Sequence, residues 1–226
     1  MNTRISSTAI AVAVAGLFAA QPAAADTLTF GGFSNGSVRA KIYNTPTAPV
    51  GGNPTTVSAG GLNMTNTTSG GTFQAWCVDI FQTLASPSSY ILESASSFYS
   101  SDPGKATALS HLASNSLSSV TNATNSAAFQ LAVWEIVNEA SGGGYSLTAG
   151  NFKASSTTAV ISAANSMLGG LSGPITMTAN VWATHSSQDL AVFAPVPEPE
   201  SYAMMLAGLG LMGFIVRRRK LAQEYA

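Results

Sequence analysis

Reactive side chains are scarce in this chain, and the most reactive type occurs once: Cys77 is the only cysteine. An ionised thiol is a nucleophile or a metal ligand, whereas a buried neutral one is a small apolar filler. Without a second cysteine, no internal disulfide forms. The two histidines, His111 and His185, do not stand with Cys77 at a zinc-ligand spacing, so no metal and no cofactor is expected. Glu135 and Glu139 are the carboxylates that a glycan-cleaving acid–base pair would need. Their one-turn separation on a helix reads instead as a solvated face, and no catalytic set and no turnover enzyme is expected. The glycine runs at Gly51, Gly60, Gly70 and Gly142 lack the lysine and the strand-to-helix setting of a phosphate-binding loop.

The elements that must position these residues follow from periodicity. Thr27–Phe33 and Val38–Tyr43 alternate apolar and polar residues and predict two short strands joined through Ser34, Asn35 and Gly36. Asn44–Gly71 is rich in Pro, Gly, Thr and Asn and reads as loop, with one edge strand at Leu62 and Met64. The apolar, aromatic segment TFQAWCVDIFQTL (72–84) predicts a buried strand, with Tyr90–Leu92 pairing onto it. Asp102 followed by Pro103 opens a helix to Asn115. Ser126–Ala140, SAAFQLAVWEIVNEA, has helical spacing of its apolar residues, with Gln130 and Trp134 one turn apart. A further helix is expected over Ser155–Leu168, then strands over Ile175–Ala183 and Asp189–Phe193. The fold class expected is α+β: a single domain with an antiparallel β-sheet or sandwich, an inserted helical segment, and a C-terminal single transmembrane helix.

Both ends of the chain point across a membrane. Arg4, the apolar stretch Ala9–Ala20 and the small residues Ala23, Ala24 and Ala25 make a secretory signal peptide over 1–25. The body, 26–195, carries four cations (Arg39, Lys41, Lys105, Lys153) against seven acids, so it offers no basic surface for nucleic acid. At the other end, Pro197, Glu198 and Pro199 precede the apolar run Ala203–Val216, which Arg217, Arg218, Arg219 and Lys220 close as a cytoplasmic stop. The fifteen residues Tyr202–Val216 fall short of the ~20 that a stable span needs, and three of them are glycine. This order of parts over 196–226 resembles the PEP-CTERM sorting signal of bacterial surface proteins. The resemblance implies an exosortase-type processing enzyme as partner and an inner-membrane-anchored precursor that is released to the cell surface or extracellular matrix. Exported proteins usually hold cysteines in pairs or not at all, so the lone Cys77 calls for a role.

The segments AWCVDIF around Cys77 and AFQLAVWEI around Gln130 are similar to the two halves of the thioester domains of bacterial surface adhesins. In that family a cysteine following an aromatic residue is joined to the glutamine of a TQxA(I/V)W motif. The matching residues are Cys77, Gln130, Ala132, Val133 and Trp134; Phe129 stands where the family carries Thr or Ser. The resemblance implies a thioester between Cys77 and Gln130, shielded from water by Trp76 and Trp134. It implies covalent attachment to a nucleophile on an extracellular polymer or another surface. A non-reactive structural protein of a biofilm or exopolysaccharide matrix is the alternative that the residue types alone allow.

Overall fold

The computed structural model describes residues 25–196 and 204–215. Within residues 25–196, nine strands and four α-helices follow one another as β1 (Asp26–Phe33), β2 (Val38–Asn44), β3 (Thr55–Ala59), β4 (Leu62–Asn66), β5 (Thr72–Cys77), β6 (Ser88–Ser94), α1 (Ala95–Phe98), α2 (Pro103–Ser116), α3 (Ala123–Asn138), β7 (Phe152–Ser155), α4 (Thr158–Gly169), β8 (Met177–Ala183) and β9 (Leu190–Pro195). The class is α+β, as the sequence predicts, but the sheet arrangement is not an open sheet or a sandwich. Six strands close into an antiparallel barrel in the order β1-β4-β5-β9-β8-β6, and β3-β2-β7 form a separate three-stranded sheet. Closure gives each barrel strand two neighbours and removes the exposed edges that a sheet of this size otherwise presents.

Four of the sequence expectations change for identifiable reasons. The two N-terminal strands do not pair with each other: β1 joins the barrel through β4 and β6, and β2 joins the small sheet. The chain leaves the β1–β4 register between Phe30 and Phe33, where Gly32 adopts φ +109°, a conformation that a side chain would strain. The segment read as loop contains two strands, and β4 is central, with Leu62 and Met64 buried between β1 and β5. β6 pairs with β1 and β8 rather than with β5. The expected C-terminal transmembrane helix is overturned: among the described residues, no helix is long and apolar enough to cross a membrane. The apolar run is helical over 204–215, about 18 Å at 1.5 Å per residue against a hydrocarbon core of about 30 Å. Pro197, Glu198, Pro199, Arg217, Arg218, Arg219 and Lys220 lie outside the described residues, as does the expected signal peptide up to Ala24.

Helix α3 is the pivot. Asn122 caps it by accepting the Asn125 N–H at 2.9 Å, three residues earlier than the apolar period suggests. Of its sixteen residues, eleven are buried, which marks a helix enclosed on nearly every side rather than one with a single core face. Phe129 packs against Trp76 with the rings tilted by 43° and their centroids 4.4 Å apart, and it meets Phe193 edge-on at 5.7 Å. That contact ties the helix to β5 and β9.

Glu135 and Glu139 correct the expectation of a solvated face. Glu135 is 0% exposed and its Oε1 accepts the Ser146 N–H at 2.6 Å; Glu139 Oε1 accepts the Phe152 N–H at 2.7 Å. Both carboxylates therefore anchor the connection between α3 and β7. Burial pushes Glu135 up to about 7, with the Ser146 hydrogen bond opposing and Glu139 adding to the rise. Because the folded state binds this proton more tightly than the unfolded chain, the contribution of Glu135 to stability is greatest below the unfolded carboxylate range. It declines as pH rises from about 4.5 through 7. Glu135→Gln keeps the acceptor for Ser146 and removes the ionisation. It is expected to flatten the slope, so that stability falls less between pH 5 and pH 8 than in the natural chain, read from urea unfolding at the two pH values.

Candidate functional site

Cys77 is the last residue of β5 and pairs with Leu190 of β9, while the next residue's N–H reaches the Asp189 carbonyl at 3.0 Å. Successive amides of a strand point to opposite sides. The Cys77 amide and carbonyl thus turn away from β9, towards the side that β4 occupies one register step earlier. β4 has already ended there, since its last pair with β5 is Leu62 with Ala75. The vacancy in the ladder is filled by a side chain. Gln130 Oε1 accepts the Cys77 N–H at 3.0 Å, and Gln130 Nε2 donates to the Cys77 carbonyl at 2.7 Å. The carboxamide thus stands in for one peptide of a missing strand.

One helix face makes this possible. Ser126, one turn before Gln130, accepts the Gly61 N–H at 2.9 Å and so fastens α3 to the chain just before β4. One turn after Gln130 comes Trp134, which is buried and whose indole Nε1–H has no hydrogen-bond partner among the described residues. Cys77, Gln130 and Trp134 line one cavity of about 300 Å³, whose walls include Phe30, Phe33, Leu62 and Leu84 and whose other polar side chains include Gln82 and Gln188. Among the described residues, no charged side chain lines it.

The two tryptophans named from sequence part company. Trp134 lines the cavity, but Trp76 lines a different cleft, of about 360 Å³, with Phe73, Trp182 and Phe193. Alternation along β5 places neighbouring side chains on opposite faces, so Trp76 cannot share the face of Cys77. A residue that sequence reasoning missed does share it. Gln188, in the turn between β8 and β9, accepts the Cys77 thiol at 2.9 Å through Oε1. It is 111 residues distant along the chain and belongs to no motif, so no sequence signal marks it.

Cys77 is buried, and burial, with a smaller contribution from nearby Asp79, pushes its thiol up to about 12. The thiol is therefore protonated at neutral pH and weakly reactive towards disulfides. The Gln130 carboxamide thus has its oxygen on the Cys77 N–H and its nitrogen on the Cys77 carbonyl, while the Cys77 sulfur bonds to Gln188. Among the described residues no cluster of His, Cys, Asp or Glu is suited to hold a metal ion.

At the far end of the chain a comparison with known families is decisive. Residues 195–220 match the PEP-CTERM protein-sorting motif. The PEP-CTERM motif implies an exported, surface-sorted protein, anchored at the membrane before processing by an exosortase, a membrane enzyme. No curated protein and no solved structure matches the chain, so the thioester-domain resemblance has no homologue or structure behind it. The PEP-CTERM match covers the tail and leaves the body to be read from its own geometry.

Proposed function

We propose that the exported body is an adhesion or extracellular-matrix protein that stores a thioester between Cys77 and Gln130 and uses it once, to bond covalently to a nucleophile on an extracellular polymer or neighbouring surface. The observation that supports this reading is the carboxamide of Gln130 held at both polar atoms by Cys77 itself. In the first step the Cys77 sulfur attacks Gln130 Cδ. The Cδ–N bond breaks, and the nitrogen departs as ammonia with the thiol proton. The Cys77 N–H already donates to Oε1, where negative charge develops in the tetrahedral intermediate, and such a preset donor lowers the barrier. In the second step an amine or hydroxyl adds to the same carbon, the C–S bond breaks, and the sulfur recovers a proton from the nucleophile. The product is an amide or ester to Gln130 and a free Cys77.

Intact mass of the mature exported protein tests this. The expected mass is one ammonia below that of the processed sequence, and incubation with methylamine attaches it at Gln130 while liberating one titratable thiol. Cys77→Ala should show neither effect. A protein of full mass that takes up no methylamine overturns the reading, and methylamine found at Gln188 overturns the assignment of Gln130. The second reading, a non-reactive matrix protein, is favoured by the sulfur's own hydrogen bond, which goes to Gln188 rather than to Gln130. Under that reading the Gln130 carboxamide only completes the β-ladder.

A further inference from the structure

We propose that Gln188 is a third reacting partner of this site, one that acts on the sulfur: its carboxamide oxygen holds the thiol before the thioester forms, and its carboxamide N–H, turned to the same point, stabilises the sulfur as it leaves. The proposal rests on the thioester reading above. Its basis is geometric. Gln188 Oε1 lies 2.9 Å from Cys77 Sγ, and Gln188 lines the same cavity as Cys77 and Gln130.

The backbone that carries Gln188 is fixed independently of its side chain. Tyr90, buried in β6, donates from its hydroxyl to Ser187 Oγ at 3.0 Å and to the Gln188 carbonyl at 3.2 Å. Ser187 Oγ in turn accepts the Ala85 N–H at 2.8 Å. These bonds clamp the turn between β8 and β9 against the segment that follows Cys77. They leave the Gln188 carboxamide with the sulfur as its hydrogen-bond partner among the described residues.

A carboxamide suits both stages because it is acceptor and donor at one end of a side chain. While sulfur carries its proton, Oε1 is the matching group. Once sulfur is acylated it has no proton, and an oxygen facing its lone pairs is repelled, so rotation of the terminal torsion brings Nε2 to face it. When an amine adds to Gln130 Cδ, the C–S bond breaks and its electron pair stays on sulfur. The Gln188 N–H then shares the developing negative charge until the proton released by the amine reaches the sulfur. Among the described residues no charged side chain lines the cavity, so none of them supplies a cation to do this instead.

The test compares the natural mature protein with Gln188→Glu and Gln188→Ala in three readouts: the fraction lacking one ammonia, the rate of methylamine uptake at Gln130, and the thermal midpoint. A carboxylate accepts from the thiol but donates nothing to the departing sulfur. Gln188→Glu is therefore expected to keep the ammonia deficit while its methylamine uptake falls about tenfold or more. Gln188→Ala, which neither accepts nor donates, should lower both the deficit and the uptake. The Tyr90 and Ser187 bonds remain in both variants, so the midpoint should stay close to that of the natural chain. Uptake at the natural rate in both variants overturns the role of Gln188, as does a slowing that only tracks a lowered midpoint. A natural protein of full mass overturns the thioester reading and this role together, and that outcome is distinguished by being visible before any variant is made.

Discussion

Gln130→Ala is expected to cost about 2–5 kcal/mol of folding stability and to abolish methylamine uptake. The magnitude follows from the two groups it orphans. Cys77 offers its N–H and its carbonyl to this one carboxamide, and β4 does not extend far enough to take its place. A buried backbone group left without a partner costs about 1–3 kcal/mol, less whatever a water entering the cavity returns. Gln130→Glu isolates half of the loss. It preserves the acceptor for the Cys77 N–H but sets an oxygen against the Cys77 carbonyl, and its penalty should shrink below the carboxylate range, where a protonated acid again donates. Cys77→Ser makes the complementary cut: it leaves both backbone bonds in place, so stability should stay within about 1 kcal/mol while thiol chemistry disappears. Urea unfolding beside methylamine labelling separates the two roles. A Gln130→Ala protein that unfolds at the natural midpoint would show that the carboxamide does not hold the end of β5.

What the sequence made legible follows from the range of the interactions involved. Helix α3 is written locally, in the spacing of Phe129, Val133 and Ile136, and emerges with ends shifted by two or three residues; β5 is written in the aromatic density around Trp76 but stops at Cys77, seven residues short of the apolar segment's end at Leu84. The cap of α2 differs in its detail from what Asp102 and Pro103 suggest. Asp102 stands at the N-cap, yet its carboxylate bonds to the Ser141 backbone N–H at 3.1 Å and makes no capping hydrogen bond to the helix. β4 is hard to see in the sequence because Asn63 and Thr65 have the composition of loop residues, whereas their alternation with buried Leu62, Met64 and Asn66 is what a barrel strand requires. Barrel closure was illegible because it depends on β6 finding β1 and β8 across long separations that leave no periodic trace. The same holds for the site. Cys77 and Gln130 could be named from their flanking residues, but Gln188 is brought to the sulfur only by the β8–β9 turn, and Trp76 is removed from it only by strand alternation.

Phe129 poses the sharpest disagreement between motif and fold, and Phe129→Thr turns it into an experiment. The thioester domains that the segment resembles carry Thr or Ser there, so the substitution restores their pattern. In this chain the position is 0% exposed and filled by a ring held between Trp76 and Phe193. Replacing a buried Phe by a much smaller residue costs about 3–5 kcal/mol through lost burial and the cavity left behind. The new hydroxyl can recover only the modest bond to a carbonyl one turn earlier in the helix. Phe129→Thr is therefore expected to lower stability by about 3–4 kcal/mol, with Phe129→Leu costing less than half of that. Methylamine uptake per folded molecule should be unchanged, because both polar atoms of Gln130 are already engaged by Cys77 and neither depends on the residue before it. Uptake that instead rises several-fold, with stability preserved, would show that residue 129 controls the chemistry and that the aromatic packing at this position is incidental to the fold.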